Sequence, residues 1–193
     1  MEKMTAGILT GGKSSRMGED KAALLYRNQT FLAHLEKELS QFDELLISVP
    51  PSGEAGMDDG QFPLVRDELA DFGPVEGIYQ LLRRSRNPYV LVVATDMQRL
   101  NAAFFADFVG QLRPEDRCLV PCDGKLLEPL CSVYHKDALP FLEQMRREGI
   151  RRPRALFSHL PTHYVELSKL GYDRRIMDNI NTRAEYAALL EDV

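Results

Sequence analysis

The segment from residue 9 to residue 21 combines small, flexible and basic residues directly after a short apolar stretch. It reads Leu-Thr-Gly-Gly-Lys-Ser-Ser-Arg-Met-Gly-Glu-Asp-Lys. Gly11 and Gly12 permit a positive φ, so successive backbone N–H groups can point into one concavity and surround anionic oxygens. Ser14 adds a hydroxyl donor, and Arg16 and Lys21 add charge that stabilises a reacting phosphate. The segment therefore predicts a phosphate-binding loop with a nucleoside triphosphate as its ligand.

The same stretch matches the P-loop pattern G-x-x-x-x-G-K-[ST] from Gly7 to Ser14. A P-loop needs a strand before its first glycine and a helix that starts at the lysine. Here the strand runs through Gly7, and Gly18 interrupts any helix after Ser14, which argues against the match. A P-loop type GTP-binding adaptor, which would release γ-phosphate or merely hold GTP, is the alternative from a different class of protein.

Two carboxylates follow predicted strands. Asp67 comes after the strand at 62–65 and could accept hydrogen bonds from a base amino group or a ribose hydroxyl. Asp96 follows the apolar run 89–94, where a carboxylate is costly unless it lies in a cleft, is paired or binds a metal. Because Mg²⁺ is held by one or two carboxylates together with substrate phosphates, Asp96 is the predicted metal ligand.

Polar residues also precede the last predicted helix. The segment 178–182 reads Asp-Asn-Ile-Asn-Thr, and Thr182-x-x-Glu185 is a capping box. One capping residue is sufficient, so Asn179 or Asn181 is left for either a ligand role or a structural one. The basic run that includes Arg146 predicts a solvated face, or a site for a second anionic substrate if it lies on the cleft.

The elements that must position these residues alternate between strands and helices. Apolar patterns predict strands at 6–9, 45–49, 62–65, 89–94, 118–121, 130–134 and 164–167, and helices at 31–42, 74–84, 102–112, 137–148 and 183–191. This order is typical of an α/β sandwich with a mostly parallel sheet, here as a single domain spanning residues 1–193. Ligands of such sheets bind beyond the carboxyl ends of the strands. We therefore expect the segments after residues 9, 49, 65 and 94 to face one crevice.

Composition excludes several functions. The formal net charge of −5 argues against non-specific nucleic-acid binding, and no apolar run approaches the ~20 residues of a membrane span. The first residues lack a signal-type apolar region, which predicts a cytoplasmic protein. Cys118, Cys122 and Cys131 lack the spacing of a zinc site, so we expect buried free thiols.

The motif from Leu9 to Lys21 resembles the signature of the molybdenum cofactor guanylyltransferases, which are MobA-like nucleotidyltransferases. Further features fit in the same order: Arg66-Asp67, Gly73-Pro74-x-x-Gly77, the strand before Asp96, Glu128-Pro129-Leu130 and Asn179-Ile180-Asn181-Thr182. The resemblance implies a three-layer α/β/α Rossmann-like fold and transfer of GMP from GTP to the phosphate of molybdenum-molybdopterin, with Mg²⁺ as cofactor and pyrophosphate as product.

The resemblance also implies roles for individual residues. It implies that Leu9, Thr10, Gly11 and Lys21 contact GTP, that Asp67 contacts the nucleotide, that Asp96 binds the metal, and that the segment with Asn179 and Asn181 lies toward the active site. The composition of the loop adds Gly12 and Ser14 as expected nucleotide-binding residues, and Arg16 together with Lys21 and Asp96 as the residues expected to act on the reacting phosphate. A protein that delivers or accepts the molybdenum cofactor is an implied partner.

Three positions depart from the family pattern. Ser48 stands where the family commonly has Asn, Met97-Gln98 replaces a pair that tends to end in Pro, and Arg183 replaces Pro. These changes leave the phosphate and metal chemistry intact but bear on the choice of base. A CTP-dependent molybdopterin or sugar-phosphate nucleotidyltransferase is therefore the alternative within the same class of enzyme.

Overall fold

The computed structural model describes residues 3–10, 24–52 and 62–191. Ten strands and five α-helices lie within these ranges. The strands are β1 (Met4–Leu9), β2 (Leu25–Tyr26), β3 (Gln29–Thr30), β4 (Glu44–Val49), β5 (Leu64–Arg66), β6 (Tyr89–Ala94), β7 (Cys118–Asp123), β8 (Leu126–Leu127), β9 (Cys131–His135) and β10 (Thr162–Glu166). The helices are α1 (Phe31–Glu38), α2 (Pro74–Arg84), α3 (Ala102–Val109), α4 (Leu139–Glu148) and α5 (Arg183–Glu191).

Most strands join one mixed sheet in the order β10-β7-β9-β6-β1-β4-β5, with β8 paired to β7. Four neighbours, β6, β1, β4 and β5, run parallel, whereas β9 runs antiparallel to both β6 and β7. Strands β2 and β3 form a separate hairpin. The carboxyl ends of the four parallel neighbours therefore share one edge, which we call the carboxyl edge.

Helices cover both faces of the sheet. Apolar residues of α1 and α3, including Leu35 and Phe104, pack with Ile8 and Val93 on one face. On the other face, α2 and α4 pack against Val92 and its neighbours. Strand β6 is fully buried, as expected of a central strand covered on both sides. The three-layer α/β/α architecture with a mostly parallel sheet is confirmed.

Several helix ends carry caps. Thr30 accepts a hydrogen bond from the Ala33 N–H, and Asn101 accepts one from the Phe104 N–H. Gly149 ends α4 with a φ of 73°, a left-handed conformation that glycine adopts without strain. The reciprocal capping box at the start of α5 is also present.

Three predicted helices are shorter than expected. Helix α1 stops at Glu38 instead of residue 42, α3 stops at Val109 instead of residue 112, and residues 136–138 form a separate 3-10 turn before α4. In the first two cases the following turn keeps later apolar residues on the core, so Phe42 and Leu112 still pack against it. The apolar periodicity thus continues past the last helical residue.

The three cysteines are buried free thiols, as expected. Burial is also the main cause of a raised thiol pKa at Cys118, to about 12. Within the described ranges, no helix is long and apolar enough to cross a membrane.

Candidate active site

The end of β1 lies at the middle of the carboxyl edge. In the parallel registers, Leu9 pairs with Ser48 of β4 on one side and with Ala94 of β6 on the other. Strand β4 in turn pairs Val49 with Arg66, the last residue of β5. The segments that leave these four strands therefore start side by side, as the sequence predicts.

Two threonines connect the ends of neighbouring strands by hydrogen bonds. Both the N–H and the hydroxyl of Thr10 donate to the Ser48 carbonyl, at 3.1 and 2.7 Å. Both the N–H and the hydroxyl of Thr95 donate to the Leu9 carbonyl, at 3.1 and 2.6 Å. The chain therefore leaves β1 in a direction set by its two neighbouring strands.

Asp67 follows β5 and is tied to β4. Its N–H donates to the Val49 carbonyl at 2.9 Å, and its Oδ1 accepts a hydrogen bond from the Ser48 hydroxyl at 2.9 Å. Burial is the main cause that raises the pKa of Asp67 to about 6; the Ser48 hydrogen bond opposes this rise, the charge of Glu76 adds to it and Arg146 opposes it. Asp67 is therefore a carboxyl group that titrates close to neutral pH beside the end of β1.

Helix α2 lies against the strand ends because it carries a glycine there. A Cβ atom on Gly77 would stand 2.6 Å from Leu9 Cδ2 and 2.8 Å from Ser48 Oγ. These separations are shorter than real contacts allow, so a larger residue at position 77 would require the Leu9 and Ser48 side chains, or the helix itself, to shift. The close packing fixes the position of Ser48, and through it that of Asp67.

A second carboxylate lies at the start of α2. The Glu76 side chain is fully buried, with an accessible fraction of 0%, and it forms an ion pair with Arg146 of α4 at 2.5 Å. Glu76 Oε1 also accepts hydrogen bonds from the Glu68 N–H and from the Gln80 side chain. Arg146 donates further to Glu68 Oε2 at 2.9 Å. This network joins α4, α2 and the turn that contains Asp67.

Asp96 follows β6 on the other side of β1. The Ile180 N–H donates to the Asp96 carbonyl at 2.9 Å, so the C-terminal segment lies directly against it. The Oδ1 atom of Asn179 is buried and has no hydrogen-bond partner within the described part of the chain. Asn181 follows in the same segment, and its N–H donates to Glu185 Oε2. Thr182 supplies the cap, so the cap requires the side chain of neither asparagine.

Glu128, in the turn before β9, lies near Asp96. Its pKa is raised mainly by burial; the Leu130 N–H and the charge of Arg174 lower it, and the charge of Asp96 raises it. The Leu130 carbonyl accepts from the Ala94 N–H at 2.9 Å, which places this turn at the end of β6. Acidic groups are therefore concentrated on this side of the carboxyl edge.

The oxygen donors at this place fit a magnesium ion that is shared with substrate. No group of three or more His, Cys, Asp or Glu side chains is arranged to hold a metal within residues 3–10, 24–52 and 62–191. A complete protein-only cage is thus absent from those ranges. Mg²⁺ is usually held by one or two carboxylates plus substrate phosphates, and Asp96 can supply such a carboxylate.

The structure brings together most of the described residues that the sequence singles out. Leu9, Thr10 and Asp67 lie on one half of the carboxyl edge, and Asp96 lies on the other. The remaining predicted loop residues lie outside the described ranges: Gly11, Gly12, Ser14, Arg16 and Lys21.

Sequence reasoning missed the pairing of Glu76 with Arg146. The basic run predicts a solvated face or an anion site, but the Arg146 side chain is only 12% exposed and is already paired. Glu76 stands between Val75 and Gly77, beside the apolar face of the α2 pattern rather than on it, so the sequence carries no signal for its burial.

Fold and site together define a nucleotidyltransferase of the α/β class. The chain belongs to the family described as MobA-like NTP transferase domain, whose model matches residues 6–164. It is similar to the molybdenum cofactor guanylyltransferase of Syntrophotalea carbinolica, with 30% identity over 191 residues that cover 94% of this chain and 88% of that protein. It is 29% identical over 165 residues to the protein of the same name from Vibrio atlanticus, with 83% and 84% of the two chains covered.

The fold has a close counterpart among solved structures. Molybdopterin-guanine dinucleotide biosynthesis protein A from Archaeoglobus fulgidus superposes with a TM-score of 0.84, covering 97% of each chain. The identity between the two sequences is 22%. This similarity therefore supports the fold, whereas family membership follows from the sequence comparisons.

Proposed function

We propose that this protein transfers GMP from GTP to the phosphate of molybdenum-molybdopterin, giving the guanine dinucleotide cofactor and pyrophosphate. The observation that carries the proposal is the position of Asp67 and Asp96 on opposite sides of the end of β1, from which the glycine-rich segment leaves. Such an edge can hold a nucleoside on one side and a reacting phosphate on the other. The relatives named molybdenum cofactor guanylyltransferase support the choice of substrates.

The reaction is a direct displacement at the α-phosphorus of the nucleotide. An oxygen of the acceptor phosphate forms a new bond to phosphorus, and the bond to the pyrophosphate oxygen breaks, so pyrophosphate leaves with its electron pair. The protein acts by positioning the two substrates and neutralising charge. Arg16, Lys21 and the backbone N–H groups at Gly11 and Gly12 are proposed to stabilise the reacting centre.

Asp67 is proposed to bind the nucleoside. An ionised carboxylate accepts hydrogen bonds from base N–H groups or from a ribose hydroxyl, whereas a protonated carboxyl has lost part of that capacity. The Ser48 hydroxyl already donates to one oxygen and orients the group. Nucleotide affinity should therefore increase as Asp67 ionises.

Asp96 is proposed to hold Mg²⁺, with the buried Asn179 Oδ1 and Asn181 in the adjacent segment. When bound, the ion would reduce the negative charge that repels the attacking acceptor. Asp96 lies beside the end of β1 because the Thr95 hydroxyl donates a hydrogen bond from the end of β6 to the Leu9 carbonyl.

We further propose a cytoplasmic location and a protein partner that supplies or receives the molybdenum cofactor. Three buried reduced thiols are consistent with a reducing compartment. A partner is proposed because the molybdopterin substrate must come from another protein and the dinucleotide product must pass to one.

The test is pyrophosphate release measured with GTP, CTP, ATP and UTP, each with and without molybdopterin, in the presence of Mg²⁺. We expect release with GTP only, and only when the acceptor is present. Release with CTP alone would replace the proposal with a cytidylyltransferase. Release of orthophosphate from GTP without acceptor would favour the GTP-binding adaptor.

A further inference from the structure

The ion pair between Glu76 and Arg146 lies directly behind the proposed nucleoside site. Glu76 is in the first turn of α2 and has no exposed surface, and Arg146 is in the last turn of α4. Besides the 2.5 Å contact with Oε2, Arg146 Nη2 lies 3.3 Å from Oε1. The guanidinium also lies over the Tyr79 ring, 4.1 Å from its centre. The pair is thus held rigidly between two helices.

This pair controls the turn that contains Asp67. Glu76 Oε1 accepts the Glu68 N–H at 2.9 Å, and Arg146 Nη2 donates to Glu68 Oε2 at 2.9 Å. Glu68 is the residue after Asp67, so both its backbone and its side chain are tied to the pair. The position of Asp67 therefore depends on α4, although α4 lies on the face of the sheet.

The pair also sets the charge around Asp67. The groups that act on this carboxyl are the Ser48 hydroxyl from β4, Glu76 from α2 and Arg146 from α4. Glu68, the next residue in the chain, is paired with Arg83 and Arg146. Arg146 is thus the cation that offsets the buried charge of Glu76 near Asp67.

We propose that Arg146 is a positioning residue for nucleotide binding, which through Glu76 fixes the Asp67 turn and keeps the Asp67 carboxylate ionised at neutral pH. The inference rests on the proposed function of Asp67 as a nucleoside ligand. Without Arg146, Glu76 is a buried carboxylate with no compensating cation, and its charge disfavours ionisation of its neighbour. Nucleotide binding then requires a higher pH.

The first measurement is the titration midpoint of the Asp67 carboxyl, followed by NMR in protein labelled with ¹³C-aspartate. The Asp67 signal is the one that disappears in Asp67→Asn. We expect a midpoint near pH 6 in the wild-type protein. Arg146→Met should move it upward, because a cation that favours the ionised form is lost. The double variant Glu76→Gln with Arg146→Met should return it to the wild-type value or below, because both charges are gone and Glu76 raises this pKa more than Arg146 lowers it.

Arg83→Met is the matched control. Arg83 also pairs with Glu68 and lies over Tyr79, but it does not contact Glu76 and is half exposed. Its removal should leave the midpoint unchanged. If Arg146→Met does not fold, the Glu76→Gln variant tests the proposal by itself. It leaves the Arg146 cation in place and should lower the titration midpoint of Asp67.

The second measurement is the GTP dissociation constant of the same variants from pH 5.5 to 9, by calorimetry with Mg²⁺. We expect the pH at which binding reaches half its maximum to follow the NMR midpoint. If Arg146 had a purely structural role, Arg146→Met would weaken GTP binding equally at every pH. Adding Glu76→Gln to that variant would then not restore binding.

The two proposals fail in different ways. If the wild-type protein binds GTP but the midpoint is the same in Arg146→Met, or does not fall in Glu76→Gln, the role of Arg146 is wrong. If the wild-type protein binds no GTP at any pH, the proposed function is wrong and the nucleotide half of this inference fails with it. The NMR midpoint then still decides whether the pair controls Asp67.

Discussion

The Ser48 hydroxyl donates a 2.9 Å hydrogen bond to Asp67 Oδ1 across the ends of β4 and β5. The bond stabilises the ionised form of Asp67 against the effect of burial. The serine hydroxyl thereby orients the neighbouring carboxylate. The two residues together form a small acceptor surface beside the end of β1.

Replacing Asp67 with Asn should stabilise the protein at high pH while weakening GTP binding. The folded pKa of about 6 lies above the ordinary value of 3.8. Between these two pH values the folded state therefore keeps a proton that the unfolded state has already released. The favourable contribution of Asp67 is therefore present below about pH 4 and is lost as the pH rises through 6. Asn does not titrate and avoids this loss.

We expect Asp67→Asn to raise the free energy of unfolding at pH 8 by about 1–2 kcal/mol, after allowance for partial exposure, and to leave it unchanged at pH 3.5. Urea unfolding at the two pH values measures the difference. Equal effects at both values would contradict the titration of Asp67 near neutrality.

Replacing Gly77 with Ala should destabilise the fold and weaken nucleotide binding together. The new Cβ would meet Leu9 and Ser48 at separations below 3 Å, so these side chains, α2 or the strand end must move. We expect a loss of about 1–3 kcal/mol in the free energy of unfolding, as for other overpacked sites. Urea unfolding and GTP calorimetry on the same preparation test this. Normal stability and affinity would mean that the helix is not held where the structure places it.

Asp96→Asn should lower turnover by ~10²–10³ without loss of stability, on the scale of a single electrostatic contact to the reacting phosphate. Asp123→Asn is the control, since Asp123 also ends a strand of the same direction but is exposed. Initial rates of pyrophosphate release as a function of Mg²⁺ concentration are the measurement. Similar rates in the two variants would remove Asp96 from the proposed metal site.

Lys21→Ala should also lower turnover by ~10²–10³, because a cation that stabilises charge only as the phosphate reacts contributes to turnover more than to binding. Lys13→Ala, in the same segment, should have a small effect. Single-turnover rates and GTP affinities separate the two contributions. A loss of affinity with unchanged turnover would assign Lys21 to ground-state binding instead.

Periodicity and capping residues predict most elements correctly, because these are local properties of the chain. Helix α2 and strand β6 are found at the predicted residues, and Thr30 and Asn101 cap their helices. The short strands β2, β3 and β8 are missing from the prediction because two-residue strands have no period to detect. The apolar pattern of β9 likewise does not predict its reversed direction, because the pattern is the same for a strand of either direction.

The sequence alone determined which residues follow which strands, and hence that Leu9, Asp67 and Asp96 leave the sheet at its carboxyl edge. That inference works because parallel strands place their ends together whatever the details of packing. Only the tertiary structure decided that Glu76 is buried against Arg146. Their contact joins residues 70 positions apart through the packing of two helices, and neither residue type nor spacing specifies which distant cation compensates a buried carboxylate.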